Sequence, residues 1–206
     1  MWIASWIGAS STVACGPSIN KYPKNLVGQA NAKVLFPSTI EDTIAAVDAE
    51  GDIYQDNVRI NSISFPNSTL PQLKAIACLF NSTLFSALAR LKAGLSDSGW
   101  RQFNRQYAEL VPFPASIFKE DATVKKLSGL ADKISALQDN ARPGSSEGAQ
   151  TGLRASLESL WQKLDEAVEE TYGLTREQRR VLSRYPRRVN RFELLFRQSS
   201  FLDEEE

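Results

Sequence analysis

The segment from Leu70 to Pro114 constrains the fold of this chain more than any other. Its first part places apolar residues at Leu73, Ile76, Ala77, Phe80, Leu84, Leu88 and Leu91, three and four apart. That spacing lines one face of an α-helix and predicts a helix over 70–91 with a single buried stripe. Asn67, Ser68 and Thr69 supply N-cap oxygens just before it, and Pro71 suits its first turn. Gly94 and Gly99 then break the helix. From Trp100 to Tyr107 the residues alternate, which predicts a short strand. Trp100, Gln102, Asn104 and Gln106 would share one face of it, and Arg101, Phe103, Arg105 and Tyr107 the other. Two aromatics bury more area than one, so the Phe103–Tyr107 face is expected to pack inward. The segment leaves through Val111-Pro112-Phe113-Pro114.

The flanks read differently. Upstream, residues 24–29, 32–36, 43–47 and 58–65 are short β-prone runs separated by Pro37, Gly51 and other turn formers. Residues 46–54 look like two strands joined by a tight turn. Asp48, Glu50 and Asp52 fall in that turn and read as solvated turn residues rather than as a nuclease cluster. Downstream, Val124, Leu127, Ala131, Ile134 and Leu137 make one helical stripe. Leu153, Leu157, Leu160, Trp161, Leu164 and Val168 make another, which Gly173 ends. Residues 140–151 between them are rich in Gly, Ser and Pro and read as a mobile loop, so the two helices are expected to form an antiparallel hairpin. Thr175 and Gln178 form a capping box for a further helix. The expected class is α+β: a β-rich unit over 1–114 packed on the central helix, then a helical spacer or docking region over 115–206.

Composition narrows the chemistry. The chain has 206 residues, enough for one ordinary domain or one domain with a helical appendage. Lys+Arg and Asp+Glu both number 24, so attraction of a polyanion by bulk charge is not expected, although local basic patches remain possible. Histidine is absent, which removes the commonest general base and most zinc sites. The two cysteines, Cys15 and Cys78, lie far apart, and Cys78 on the apolar helix reads as a buried free thiol in a reducing, cytoplasmic setting. The apolar start at Met1 to Gly8 has no positive residue before Lys21, which speaks against a secretory signal. No run approaches the length of a membrane span. A lipoprotein anchored at Cys15 is the weakest of the functional alternatives.

The order of parts resembles a known family. A helix carrying Phe80-Asn81-Ser82, a Gly-containing polar segment from Gly94 to Tyr107 and the exit Val111-Pro112-Phe113-Pro114 resemble the C-terminal target-recognition domain of DNA adenine-N6 methyltransferases. The closest likeness is to fused type II restriction-modification enzymes and to phage-defence methyltransferases. Phe80 stands where that pattern usually has Leu, and Val111 precedes the first proline. Tyr172-Gly173-Leu174-Thr175 resembles a segment found after the helices of the same family. The resemblance implies sequence-specific recognition of double-stranded DNA on behalf of a methyltransferase catalytic domain or subunit.

No Gly-rich loop for S-adenosylmethionine occurs, nor an Asn-Pro-Pro-aromatic or Asp-Pro-Pro-aromatic motif. The chain is therefore expected to carry recognition without catalysis, and to need no cofactor or metal. Gln and Asn can bond adenine in two places and Arg can do so to guanine, which makes Arg101, Gln102, Asn104 and Arg105 the candidate base readers. The competing reading is an ordinary solvated strand face. Lys21, Lys24, Gln29, Lys33, Arg59 and Lys92 are candidate DNA-backbone contacts, against the plainer reading of solvated surface. Arg176, Arg179, Arg180, Arg184, Arg187, Arg188, Arg191 and Arg197 form a dense basic run that suits either a nucleic-acid surface or helix-surface charge. The rival from another class is a protein-interaction module built on the helical hairpin.

Overall fold

Val34, Leu35 and Phe36 are consecutive and all buried, so both faces of the first strand are covered. This computed structural model describes residues 29–53, 59–65, 67–95, 100–119, 121–139, 147–189 and 191. Strand β1 (Lys33–Pro37) lies between β3 (Ala46–Asp48) and β4 (Ile60–Ile63), antiparallel to both. A second antiparallel sheet has β6 (Arg101–Gln102) at its centre, between β2 (Thr39–Ile40) and β5 (Gly94–Leu95). Ser38 stitches the two sheets together. Its amide donates to the Arg59 carbonyl at 2.7 Å, and its carbonyl accepts from the Phe103 amide at 2.7 Å.

Among the described residues six helices follow the strands or interrupt them: α1 (Leu70–Phe80), α2 (Thr83–Lys92), α3 (Arg105–Ala108), α4 (Ala122–Asp139), α5 (Glu147–Thr171) and α6 (Arg176–Leu182). A 3-10 turn spans Ala115–Phe118. Together with the two sheets they make the α+β class expected from the sequence. The expected hairpin is present: Lys126 near the start of α4 pairs with Glu170 near the end of α5 at 2.6 Å, so these helices run antiparallel. Helix α1 in turn runs antiparallel to α4, since Lys74 meets Asp132 and the Cys78 thiol donates to the Leu127 carbonyl at 3.3 Å. The core does not divide at residue 114. One continuous cluster runs from Val34 through Phe80 and Leu127 to Leu182.

The single helix expected over 70–91 is two helices bent by 68°. The bend has a local cause at Asn81 and Ser82. Ser82 takes extended backbone angles, and its Oγ accepts the Phe85 amide at 3.1 Å, so it starts a new helix as an N-cap. The bend re-aims the apolar stripe: Leu84, Phe85 and Ala89 are buried, whereas Leu91 is 79% exposed. The strand expected over Trp100 to Tyr107 stops at Gln102, and Arg105–Ala108 turns into α3 behind Asn104. Phe103 is nonetheless fully buried and Tyr107 half-buried, so that face does pack inward. Helix α5 begins at Glu147, so residues 147–151 of the expected loop are helical; residues 140–146 lie outside the described residues. Beyond β3 the chain makes a turn, not a second strand, through Ile53; residues 54–58 also lie outside.

Phe80 is the centre of the core. Its ring lies 4.4 Å from that of Phe85, 4.8 Å from Phe36, 6.0 Å from Phe113 and 6.4 Å from Phe103. These rings come from α1, α2, β1, the Pro-Phe-Pro exit and the chain after β6, so one side chain joins five segments. Aromatic pairs contribute about 0.5–1.5 kcal/mol beyond their buried area. Replacing Phe80 by Ala is expected to destabilise the chain by about 3–5 kcal/mol, read from urea unfolding, with Phe80→Leu losing clearly less. Burial pushes the Cys78 thiol up to about 12 from 9.0. The native thiol is therefore expected to resist alkylation at pH 8 and to react once urea unfolds the chain. Because the folded pKa is the higher one, its stabilising contribution is complete below pH 9 and declines between pH 9 and 12. Equal labelling of native and unfolded protein at pH 8 would contradict this burial.

Candidate nucleic-acid interface

The four candidate base readers do not behave alike. Gln102 sits on the central strand of the second sheet, opposite Thr39 on one side and Gly94 on the other, and its side chain is exposed. Arg101 beside it is half-buried and has no ion pair among the described residues. Asn104 caps α3, where its carbonyl accepts the Tyr107 and Ala108 amides. Its Oδ1 is buried without a hydrogen-bond partner, so the amide cannot present both ends outward. Two-point recognition of adenine needs both ends, which removes Asn104 from that role in this conformation. Arg105 is exposed but held by Glu109 at 2.6 Å.

The second sheet gathers other polar groups around Gln102. Arg59 is exposed, and its carbonyl receives the Ser38 amide next to Thr39, the partner of Gln102. Asn61 reaches across from β4 and donates through Nδ2 to the Phe103 carbonyl at 3.3 Å. Lys92 is exposed two residues before β5 begins. The glycine at 94 has a packing reason: a Cβ there would come within 2.5 Å of the Tyr107 hydroxyl. Leu95, opposite Arg101, is 69% exposed and Trp100 is 44% exposed, so apolar side chains border the same strand.

Lys33 is corrected from a DNA-backbone candidate to a structural residue. Its Nζ is buried and lies 2.6 Å from Asp48 Oδ2, across the β1–β3 ladder where the two are register partners. The same Nζ donates to the Gln29 carbonyl at 2.5 Å and the Asn31 carbonyl at 3.4 Å, so its three donors are used inside the fold. Asp48 is likewise no solvated turn residue. It is buried and accepts the amides of Gly51, Asp52 and Ile53 at 3.0–3.1 Å. Gly51 is required there: its φ is +74°, and a Cβ would come within 2.2 Å of the Ala30 carbonyl oxygen. Gln29 is half-buried. Lys21, Lys24 and Cys15 lie outside the described residues.

The basic run near the C-terminus divides into an inner and an outer set. Arg187 donates to the Asn81 carbonyl at 3.1 Å, and burial lowers its guanidinium to about 10, with Arg191 nearby adding to the shift. Arg191 pairs with Asp165 at 3.0 Å and lies over the Trp161 ring at 4.7 Å. Arg179 pairs with Glu169 at 3.7 Å and Arg180 with Glu177 at 2.8 Å. Arg176, Arg184 and Arg188 are exposed and form no ion pair among the described residues. Arg197 lies outside them.

Tyr172 connects two segments that the sequence singled out separately. Its hydroxyl donates to the Pro112 carbonyl at 2.8 Å, so the Tyr-Gly-Leu-Thr segment holds the Pro-Phe-Pro exit. Gly173, at φ +66°, closes α5: its amide reaches Glu170 and the Leu174 amide reaches Glu169. The expected Thr175–Gln178 capping box is formed in both directions, at 2.8 and 3.3 Å.

Among the described residues no group of three His, Cys, Asp or Glu side chains could hold a metal ion. No single helix among them is long and apolar enough to cross a membrane. The bent pair α1–α2 has enough apolar length taken together, but most of α1 is buried in the core. No family model matches the chain, and a search of curated proteins finds no match either. Sequence reasoning missed Asp42, which accepts the Tyr185 hydroxyl at 3.0 Å and the Arg188 and Val189 amides at 2.6 and 2.8 Å. No local pattern carries a contact across more than 140 residues. Replacing Asp48 by Ala is expected to destabilise the chain by about 3–5 kcal/mol, because it strands the buried Lys33 charge. Urea unfolding reads this; a change under about 0.5 kcal/mol, the range of ordinary surface substitutions, would show that Lys33 is not dependent on Asp48.

Proposed function

We propose that this chain reads duplex DNA as the specificity part of an adenine-N6 methyltransferase or restriction-modification system, in the cytoplasm. The observation that carries the reading is Gln102, exposed on the central strand of a narrow three-stranded sheet, with Arg59 and Lys92 near its register partners Thr39 and Gly94 and Arg101 on the strand's other face. A short sheet of this kind can enter the major groove, where an exposed amide can bond the adenine edge in two places. Arg101, Arg59 and Lys92 would meet phosphates, which fix position without reading sequence. The hydrogen bond from Tyr172 to Pro112 supports the family resemblance, since its two separate points form one structural unit. Methyl transfer would belong to a catalytic domain or subunit that binds S-adenosylmethionine.

One observation weighs against the rival reading, a protein-interaction module on the helical hairpin. Leu127 and Ile134 on α4, and Leu157, Leu164 and Val168 on α5, are buried within this chain, so the hairpin's apolar stripes are already occupied. Selection from a pool of randomised duplexes by the full chain tests the DNA reading. An enriched sequence motif is expected. Gln102→Ala should then lose about 1–3 kcal/mol of discrimination at one base pair while keeping its affinity for random duplex. Asn104→Ala should leave discrimination unchanged. A pool that returns unenriched would sink the proposal.

A further inference from the structure

We propose that Arg184 and Arg188, at the far end of the chain, join Arg101 and Lys92 in one track that binds the phosphate backbone of a duplex. This rests on the DNA-reading function proposed above and extends its surface beyond the second sheet. The fold brings the four residues together through two anchors. The Arg188 amide donates to Asp42 at 2.6 Å, two residues beyond Ile40, whose register partner is Arg101. Tyr185, next to Arg184, lies under the Arg90 guanidinium at 5.7 Å and accepts a hydrogen bond from it, two residues before Lys92. The segment after α6 therefore runs along the same end of the second sheet that carries Arg101 and Lys92.

Among the described residues no ion pair neutralises the charges on this rim. Arg184, Arg188 and Lys92 are exposed, Arg101 is half-buried, and none of the four has an ion pair among the described residues. The nearby acids are engaged or turned inward: Asp42 is buried under the two backbone amides and Tyr185, and Glu109 holds Arg105. Glu41 is half-buried beside them and is the remaining acid of that turn. A chain with no net charge cannot draw DNA by its overall field, so a local row of unpaired cations is where attraction to a polyanion would arise. Arg101 is the strand neighbour of Gln102, so the row borders the strand proposed to read bases, which favours duplex backbone as the occupant over an acidic peptide.

The test is the salt dependence of binding between the full chain and a fluorescent duplex of random sequence. Each phosphate contact contributes about 0.9 to the slope of log affinity against log salt. The double variant Arg184→Gln/Arg188→Gln is expected to lower that slope by about 1.8, two contacts' worth, with the enriched motif unchanged. Its thermal midpoint should match wild type, because the Arg188 amide rather than its side chain binds Asp42. Arg184→Lys/Arg188→Lys should restore the slope. A double variant with the wild-type slope overturns the proposal, and that is also the result if Asp203 to Glu206 neutralise these arginines. The two readings separate cleanly: binding with no sequence preference sinks the base reading alone, and an unchanged slope with intact preference sinks the track alone. A wild-type chain that binds no duplex sinks both.

Discussion

The turn at Asn81–Ser82 is the point on which the rest of the structure depends. A helix bent by 68° leaves backbone groups without helical partners, and side chains from distant segments satisfy them. Thr43 donates to the Phe80 carbonyl at 2.5 Å. The Asn81 amide grips both polar groups of Ala45, at 3.0 and 2.8 Å, much as a neighbouring strand would. Arg187 meets the Asn81 carbonyl, and Asp165 meets the Thr83 amide at 2.7 Å. Four residues, Phe80 to Thr83, thereby hold together the chain around β3, helix α5 and the segment after α6. Phe80 adds the apolar half of the same junction.

How much of this was legible in the sequence depends on the range of the interaction. Patterns written within one turn or one strand could be read: the capping box at Thr175, the stripes of α4 and α5, the N-terminus of α1 and the strand read at 32–36 and found at Lys33–Pro37. Periodicity alone could not reveal the bend, because the apolar spacing continues through it and only Ser82 marks a new start. The strand after Trp100 was overestimated for the opposite reason. Alternation persists to Tyr107, but the backbone turns helical behind Asn104, whose carbonyl accepts the Tyr107 and Ala108 amides, and strand patterning over so few residues is weak.

The candidate site was legible in part. Gln102 stands exposed on a strand where alternation placed it, and Arg101, on the other face, is half-buried. Lys33 was misread because a lysine is normally solvated, and only the register with Asp48 reveals a buried pair. Asp48 was misread with it, since its three amide donors belong to the following turn. The basic run at 176–191 could not be sorted from sequence, because inward and outward arginines share one composition. Their separation depends on Asn81, Asp165 and Trp161, which lie far away along the chain.

The contacts of Asp42 also fix the order in which this chain can be completed. Its carboxylate is buried, and its three donors, Tyr185, Arg188 and Val189, come 143 to 147 residues later. During synthesis the sheets and α1 leave the ribosome long before those donors exist. A buried carboxylate without donors is costly, so the junction around Asp42 stays open, or hydrated, until the last stretch emerges. Closing so long a loop is also slow. The N-terminal half is thus made first and closed last, and a nascent chain stopped short of Val189 lacks the donors that seal it.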